Sequence, residues 1–320
     1  MPGINLVVSC TKRKTQPPQC SLQLRMVSES LSIQSRVAAW VKRIEEYGSN
    51  PIPARSLYSG DSWHVLRSIE KLPNQDKQPV RIWICSAGHG LIGIDTLLVS
   101  YSATFAPRQP DSVCPEGGRN TGSILSEWWN RLAEIPDFHS EPRTISELSK
   151  MYPDDFLLIS LSDRYLRAVS VDLLHTIQNL PSPERMAIFS LGGSVSNELR
   201  PYQLPGDGRL QSLVSGSMSA LNPRVARKLI SELSSERMTR SRCRNQLIDW
   251  MQAAPRLVRP KRRVLTDAEL KRFILRALKE NPEARPTPLL RRLRETERAC
   301  EHSRLVSLYR QLKEQQNGMG

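Results

Sequence analysis

Four short apolar runs constrain this chain most: Ile4 to Ser9, Val80 to Cys85, Phe156 to Leu161 and Met186 to Leu191. They lack the polar alternation of a half-exposed strand, so each reads as a strand buried on both faces. Each stops at a polar or glycine-rich turn: Cys10 to Lys14, Ser86 to Gly90, Ser162 to Tyr165, and Gly192 to Ser194. Helix-capable segments separate them, one of which carries Val37, Trp40, Val41 and Ile44 at helical spacing before a Gly-Ser-Asn-Pro-Ile-Pro stop. The pattern predicts an α/β domain with a mostly parallel central sheet flanked by helices. Ligands of such sheets sit beyond the carboxyl ends of the strands, so the four turns are expected to converge on one site.

The 320 residues suffice for one large core and a small accessory domain. Expected boundaries are an α/β domain over 1–253, a basic Pro/Arg-rich linker over 254–264, and a helical module over 265–320. Within the first domain, the Pro- and Gly-rich stretch 105–123 reads as a long exposed loop. Asn222 followed by Pro223 reads as the N-cap and first residue of a helix. Its amino end would offer an anion site near Ser215, Gly216 and Ser217. In the third segment, Thr266-Asp267-Ala268-Glu269 has capping-box spacing before Leu270, Phe273, Ile274, Ala277 and Leu278. Thr287-Pro288 opens a second helix, and Leu305, Leu308, Tyr309 and Leu312 mark a third. A small all-α bundle of helix-turn-helix type is expected, its last helix exposing Arg304, Arg310 and Lys313.

Charge is placed unevenly. The net charge is +14, and 17 Lys/Arg against 8 Asp/Glu lie in residues 255–320. A positive field concentrated in one patterned module suits a polyanion, because each neutralised phosphate releases counterions. A merely solubilising basic tail is the plain alternative. The six cysteines have no C-x-x-C spacing and the five histidines form no H-E-x-x-H, so neither a disulfide framework nor a zinc site is indicated. No run approaches the roughly 18 apolar residues of a membrane span. The basic cluster Lys12, Arg13, Lys14 follows the first apolar run, the reverse of a secretory signal. A cytoplasmic protein with reduced thiols and no membrane partner is expected.

Candidate chemistry sits at the strand ends. After the second strand, Cys85-Ser86-Ala87-Gly88-His89-Gly90 combines close glycines with an acid/base candidate, and Asp95 supplies a carboxylate nearby in sequence. A core histidine and a surface aspartate are the bland alternative. Ser162-Asp163-Arg164-Tyr165 offers a carboxylate, a guanidinium for phosphate and a ring for stacking, or else an ordinary helix start. Cys10-Thr11-Lys12-Arg13-Lys14 suits a phosphate, or is a solvated charge run. Trp63, Trp83, Trp128, Trp129 and Trp250 are expected in the core. There is no Walker A loop, no G-x-G-x-x-G after the first strand, no kinase set and no G-x-S-x-G elbow.

C-T-K-x-K at the end of the first strand, Leu57-Tyr58-Ser59-Gly60 before a helix, S-A-G-H-G-L-I, and the downstream Tyr101 together resemble a family of bacterial and phage proteins. Related pieces occur in the base-exchange enzymes of archaeosine synthesis, and the fold resembles the uracil-DNA glycosylase superfamily. With a basic tail, the chain is most similar in plan to phage-defence DNA glycosylases that excise glucosylated hydroxymethylcytosine. The motifs cover about residues 4–105, and strand order alone extends the likeness to about 235. The G-Q-D-P-Y-H and H-P-S-P motifs of ordinary uracil-DNA glycosylases are absent, so their catalytic residues do not transfer.

The resemblance implies flipping and excision of a modified base from double-stranded phage DNA, leaving an abasic site as antiviral defence, with no metal or organic cofactor. An oxocarbenium-like sugar needs a carboxylate beside it. Asp95 is the first expectation, Asp163 the second, with His89 donating to the departing base. Cys10, Ser86, Gly88, Gly90 and Tyr165 would line the pocket, and Tyr58 or Tyr101 would stack on the base. Lys12, Lys14, Arg164, Ser217, Asn222 and Arg224 would hold DNA, together with Lys261, Arg262, Arg263, Arg304 and Arg310 of the basic module. Two other readings stay open: a non-catalytic DNA-binding regulator that senses modified nucleotides, and a nuclease, for which no D-(x)n-E-x-K or His/Asp metal cluster stands out.

Overall fold

The computed structural model describes residues 2–317 apart from 73–77, 119, 137, 141, 194, 234 and 256–262. The chain divides into two units, Met1–Arg256 and Leu257–Gly320.

Five strands build the sheet of the first unit: β1 Ile4–Ser9, β2 Val80–Ser86, β3 Gly90–Gly93, β4 Phe156–Ser160 and β5 Met186–Phe189. Their order is β3-β2-β1-β4-β5. β1 runs parallel to β2 and to β4, and β4 parallel to β5. All four apolar runs are therefore strands of one parallel sheet, and β1, β4 and β5 are buried along almost their whole length. The helices pack in two groups. In one, Ile33–Tyr47 meets Thr121–Glu134, which meets Asp163–Ala168; in the other, Asp61–Ile69 meets Leu221–Leu233, which meets Arg240–Ala253. Residues with two buried faces must be covered twice, which is why continuous apolar strands demand this arrangement.

Three details depart from the sequence reading. The segment after Gly88 is not a loop: Gly90, with φ of 73°, turns the chain into β3, which pairs antiparallel with β2 and places Gly93 opposite Trp83. The irregular stretch 105–118 is only partly exposed. Phe105, Asp111, Ser112, Val113 and Cys114 are buried, and the buried Arg36 guanidinium donates to the Val113 and Ser112 carbonyls at 2.6 and 3.3 Å. Many prolines and glycines mark irregular backbone, but here a cation satisfies that backbone from inside. Asn222 is not an N-cap. It is the second residue of the helix Leu221–Leu233, which follows directly on the 3-10 turn Met218–Ala220.

The second unit has three helices, Asp267–Glu280, Pro286–Glu295 and His302–Asn317. Two-residue strands, Arg263–Val264 and Arg298–Ala299, pair parallel beside them. Leu265, Leu270, Ile274, Leu278, Leu290, Leu293, Leu305, Leu308 and Leu312 make its core. The second helix begins at Pro286, one residue before the expected Thr287. The capping box is complete: Thr266 accepts from the Glu269 amide, and the Glu269 carboxylate accepts from the Thr266 amide at 2.9 Å. Thr266→Ala is expected to cost this unit about 1 kcal/mol, read as faster hydrogen exchange in the first turn of Asp267–Glu280. Unchanged exchange there would show that the cap contributes nothing.

Candidate functional site

The reversal of strand order decides where a cleft opens. From β1 the chain goes first to β2 on one side and only later to β4 on the other, so the loops leaving β1 and β4 diverge. Ser9, Cys10 and Thr11 after β1, and Ser160, Ser162 and Arg164 at and after β4, line a cleft of about 600 Å³ at that point. That volume falls in the range of small-ligand sites. Ser59, Gly60, Asp61 and Ser62 close one side, and Ser217, Ser219 and Asn222 another.

The cleft is cationic and rich in hydroxyls. Lys12, Arg13 and Arg164 line it, and none has an ion-pair partner among the described residues; Lys12 donates only to Gln109, at 3.2 Å. Unpaired cations beside neutral hydroxyls are the makings of an anion site. One carboxylate faces them. Asp61 opens the helix Asp61–Ile69 and accepts from Ser217 Oγ at 2.6 Å and from Arg224 Nη2 at 2.5 Å. The Ser217 hydroxyl and then the Arg224 guanidinium hold its carboxyl below the usual range, so it is ionised at neutral pH. On the floor, Cys10 Sγ lies 3.0 Å from Tyr165 Oη. Burial pushes the Tyr165 phenol well up, so it stays protonated and available as a donor.

Several expected residues meet here: Cys10, Lys12, Arg164, Tyr165, Ser217 and Asn222 all line the cleft. Asn222, however, does not offer its amide to a ligand. It accepts from the Leu191 amide at 3.2 Å and donates to the Leu161 carbonyl at 2.9 Å, tying the ends of β4 and β5 together. Arg224 is spent on Asp61.

Others lie elsewhere. Asp95 follows β3, whose antiparallel course carries the chain back past Ile82. It therefore stands toward the amino end of β2, where its exposed side chain ion-pairs with Arg55 at 2.5 Å. Spacing in sequence placed Asp95 beside His89, but the hairpin separates them, and Asp95 is not among the residues that line the cleft. Asp163 starts the helix Asp163–Ala168 and pairs with Arg167 at 3.0 Å, outside the cleft lining.

The Ser86 to Gly90 turn is packed rather than open. Tyr58, Ser86 and Tyr101 are at most 1% exposed. Tyr101 Oη lies 2.7 Å from Tyr58 Oη and 2.6 Å from Ser86 Oγ, and Ser86 Oγ also accepts the Gly88 and His89 amides. Those N–H groups are consumed internally. Tyr58 stacks on Trp63 at 4.8 Å, so neither tyrosine is free to stack on a base. Gly88 is needed for packing, since a Cβ there would come within 2.5 Å of the Tyr101 ring. Lys14 turns inward too, its ammonium 4.1 Å from the Tyr101 ring centroid, where burial lowers its pKa.

His89 is buried as well. Its Nδ1 lies 2.8 Å from His139 Nε2, its ring stacks on Phe138, and its Nε2 has no hydrogen-bond partner among the described residues. Burial first, and then His139, hold His89 well below its usual pKa, while burial brings His139 down to about 4. Between about pH 6.5 and about 4 the unfolded chain binds protons at these positions that the folded protein refuses, so stability falls as pH falls through that window. The urea midpoint is expected to drop across it, and the drop to be smaller in His139→Gln. An equal drop in the variant would remove the pair as the cause.

In the second unit, Arg304 Nε donates to Asp267 at 2.7 Å and Nη1 to the Leu265 carbonyl at 3.0 Å, so it holds the bundle together. Arg263 pairs with Glu269. Lys313 lies 4.0 Å from Glu283. All three have a carboxylate partner, whereas Arg310 is exposed and carries no ion pair among the described residues. Lys261 and Arg262 lie outside the described residues.

Sequence reasoning missed Asp61. The Tyr58-Ser59-Gly60 stretch just before it was singled out, but an aspartate opening a helix is an ordinary dipole-compensating residue, and nothing local distinguishes it. Among the described residues no group of three or more His, Cys, Asp or Glu could hold a metal ion, and no helix is long and apolar enough to cross a membrane. Comparison with protein families and with curated proteins finds no match.

Proposed function

We propose that the protein is a DNA glycosylase that takes one flipped nucleotide into this cleft and hydrolyses its N-glycosidic bond, with Asp61 as the carboxylate. The observation that carries the reading is the pairing, in one cleft at the strand reversal, of three cations lacking counter-ions with a single ionised carboxylate. Cations without carboxylates would suit binding alone. A nucleotide needs both: positive groups for its phosphates, and a negative group where positive charge develops on the sugar.

In this scheme the C1′–N bond breaks with its electron pair leaving on the base, and a water oxygen bonds to C1′. Asp61 stabilises the sugar cation and accepts the water's proton, which ends on the departing base. The protonated Tyr165 hydroxyl, beside Cys10, donates a hydrogen bond to the base. Lys12, Arg13 and Arg164 hold phosphates. The exposed cations of the helical unit, such as Arg310, contribute backbone affinity that offsets about a few kcal/mol of unstacking. A modified cytosine of phage DNA is the expected target, and antiviral defence the expected role.

The test is incubation of the full chain with phage DNAs carrying different base modifications, followed by alkali treatment and mass spectrometry. Free base together with alkali-labile sites is the expected result. Tight binding with intact bases on every substrate would overturn the glycosylase in favour of a non-catalytic reader, and strand breaks without free base would indicate a nuclease.

A further inference from the structure

At the end of β5 a second cavity, of about 480 Å³, lies apart from the cleft. Arg200, from the 3-10 turn Arg200–Tyr202, and Arg244, from the helix Arg240–Ala253, both line it. Both are exposed, and neither guanidinium has an ion-pair or hydrogen-bond partner among the described residues. Two like charges brought to one cavity from separate elements repel unless something negative joins them. Ser190 adds an independent sign: it is 5% exposed, lines the cavity, and its Oγ has no hydrogen-bond partner among the described residues. A buried hydroxyl left unpaired costs stability, and an incoming acceptor oxygen would satisfy it.

The backbone is shaped for a close approach. Gly192 has φ of 69°, with open space where a side chain would stand, and a Cβ on Gly193 would sit 2.4 Å from Ser190 Oγ. Gln203 Nε2 donates to the Gly193 carbonyl at 2.7 Å, fixing this turn. Asn222, which lines the cleft, accepts from Leu191 beside Ser190 and so joins the two cavities mechanically. Two strand spacings, about 10 Å, separate β1 from β5, so the two cavities open on neighbouring stretches of one sheet edge.

We infer that the Arg200–Arg244 cavity is a second phosphate subsite, holding a backbone phosphate of the same DNA strand at another nucleotide near the flipped residue. The inference rests on the reading of the protein as acting on DNA, and names how that strand is tracked along the sheet edge. The subsite fixes which nucleotide can enter the cleft.

The experiment uses the full chain and a duplex containing the target base, with a neutral methylphosphonate placed at one phosphate at a time. Wild type is expected to lose affinity at a phosphate adjoining the target and again at a second, separate phosphate of the same strand. Arg200→Ala/Arg244→Ala should bind roughly tenfold more weakly, with a log–log salt slope shallower by about 0.9. It should lose only the distant sensitivity, and Arg200→Lys/Arg244→Lys should keep it. Because Arg310→Ala in the helical unit would also flatten the slope, the position-resolved scan decides. If the Ala double variant keeps both sensitive positions, the subsite is overturned while the glycosylase reading stands. If wild type shows both positions but releases no base, the chemistry is wrong and the subsite holds. Failure of wild type to bind the duplex overturns both.

Discussion

Asp61→Asn is expected to slow base release by about 10²-fold or more, the scale at which removing one electrostatic stabiliser of a transition state acts. The substitution keeps the shape of the side chain and an oxygen able to accept from Ser217, now bonded at 2.6 Å, but deletes the charge. DNA affinity should not fall with the rate, because removing a negative group from a cationic cleft favours phosphate. That split separates a role in the chemistry from a role in holding the fold. Asp95→Ala, which removes only an exposed partner of Arg55, should release base at the wild-type rate. If Asp61→Asn retains the wild-type rate, or if Asp95→Ala loses it, the placement of the chemistry at the strand reversal is wrong.

Trp128→Ala is expected to destabilise the first unit by about 3–5 kcal/mol. Trp128 is fully buried. Its Nε1 donates to the Ala87 carbonyl at 2.8 Å, as Trp40 Nε1 does to the Gly88 carbonyl at the same distance. The two indoles clamp the turn after β2 from the helices Thr121–Glu134 and Ile33–Tyr47. Trp128→Ala therefore opens a cavity and also strands a buried carbonyl. Trp128→Phe keeps most of the packing and strands only the carbonyl, for about 1–3 kcal/mol. Equilibrium urea unfolding measures both. A loss below about 1 kcal/mol for the alanine variant would mean that the surroundings collapse freely, contrary to close packing.

Parallel strands buried on both faces write their own signature: the burial that holds β1, β4 and β5 in the centre is the burial that forbids polar residues along them. The capping box at Thr266 and Glu269 is legible for a similar reason, since both partners lie within one turn. The pocket turns after β1 and β4 were legible as turns. Cys10, Lys12, Arg164 and Tyr165 do meet in the cleft, because the end of a parallel strand is fixed by the strand itself.

The remaining features depend on which distant groups arrive next to a residue, and no local pattern encodes that. Ser86 and the Gly88 to Gly90 turn have the composition of a ligand loop, yet the Tyr58 and Tyr101 hydroxyls and two tryptophan indoles consume their polar groups. Asp95 is six residues from His89 but at the other end of a hairpin, while Asp61 meets Ser217 and Arg224 across more than 150 residues. The parallel sheet, the helical basic unit and the positions of the turns are legible in the residue pattern, because hydrophobic burial and capping are short-range in the chain. Which turns line the cleft, and which carboxylate faces the cations, depends on the tertiary structure. Electrostatic and hydrogen-bond partners are chosen by distance in space, and the crossing of the chain from β2 to β4 sets that distance.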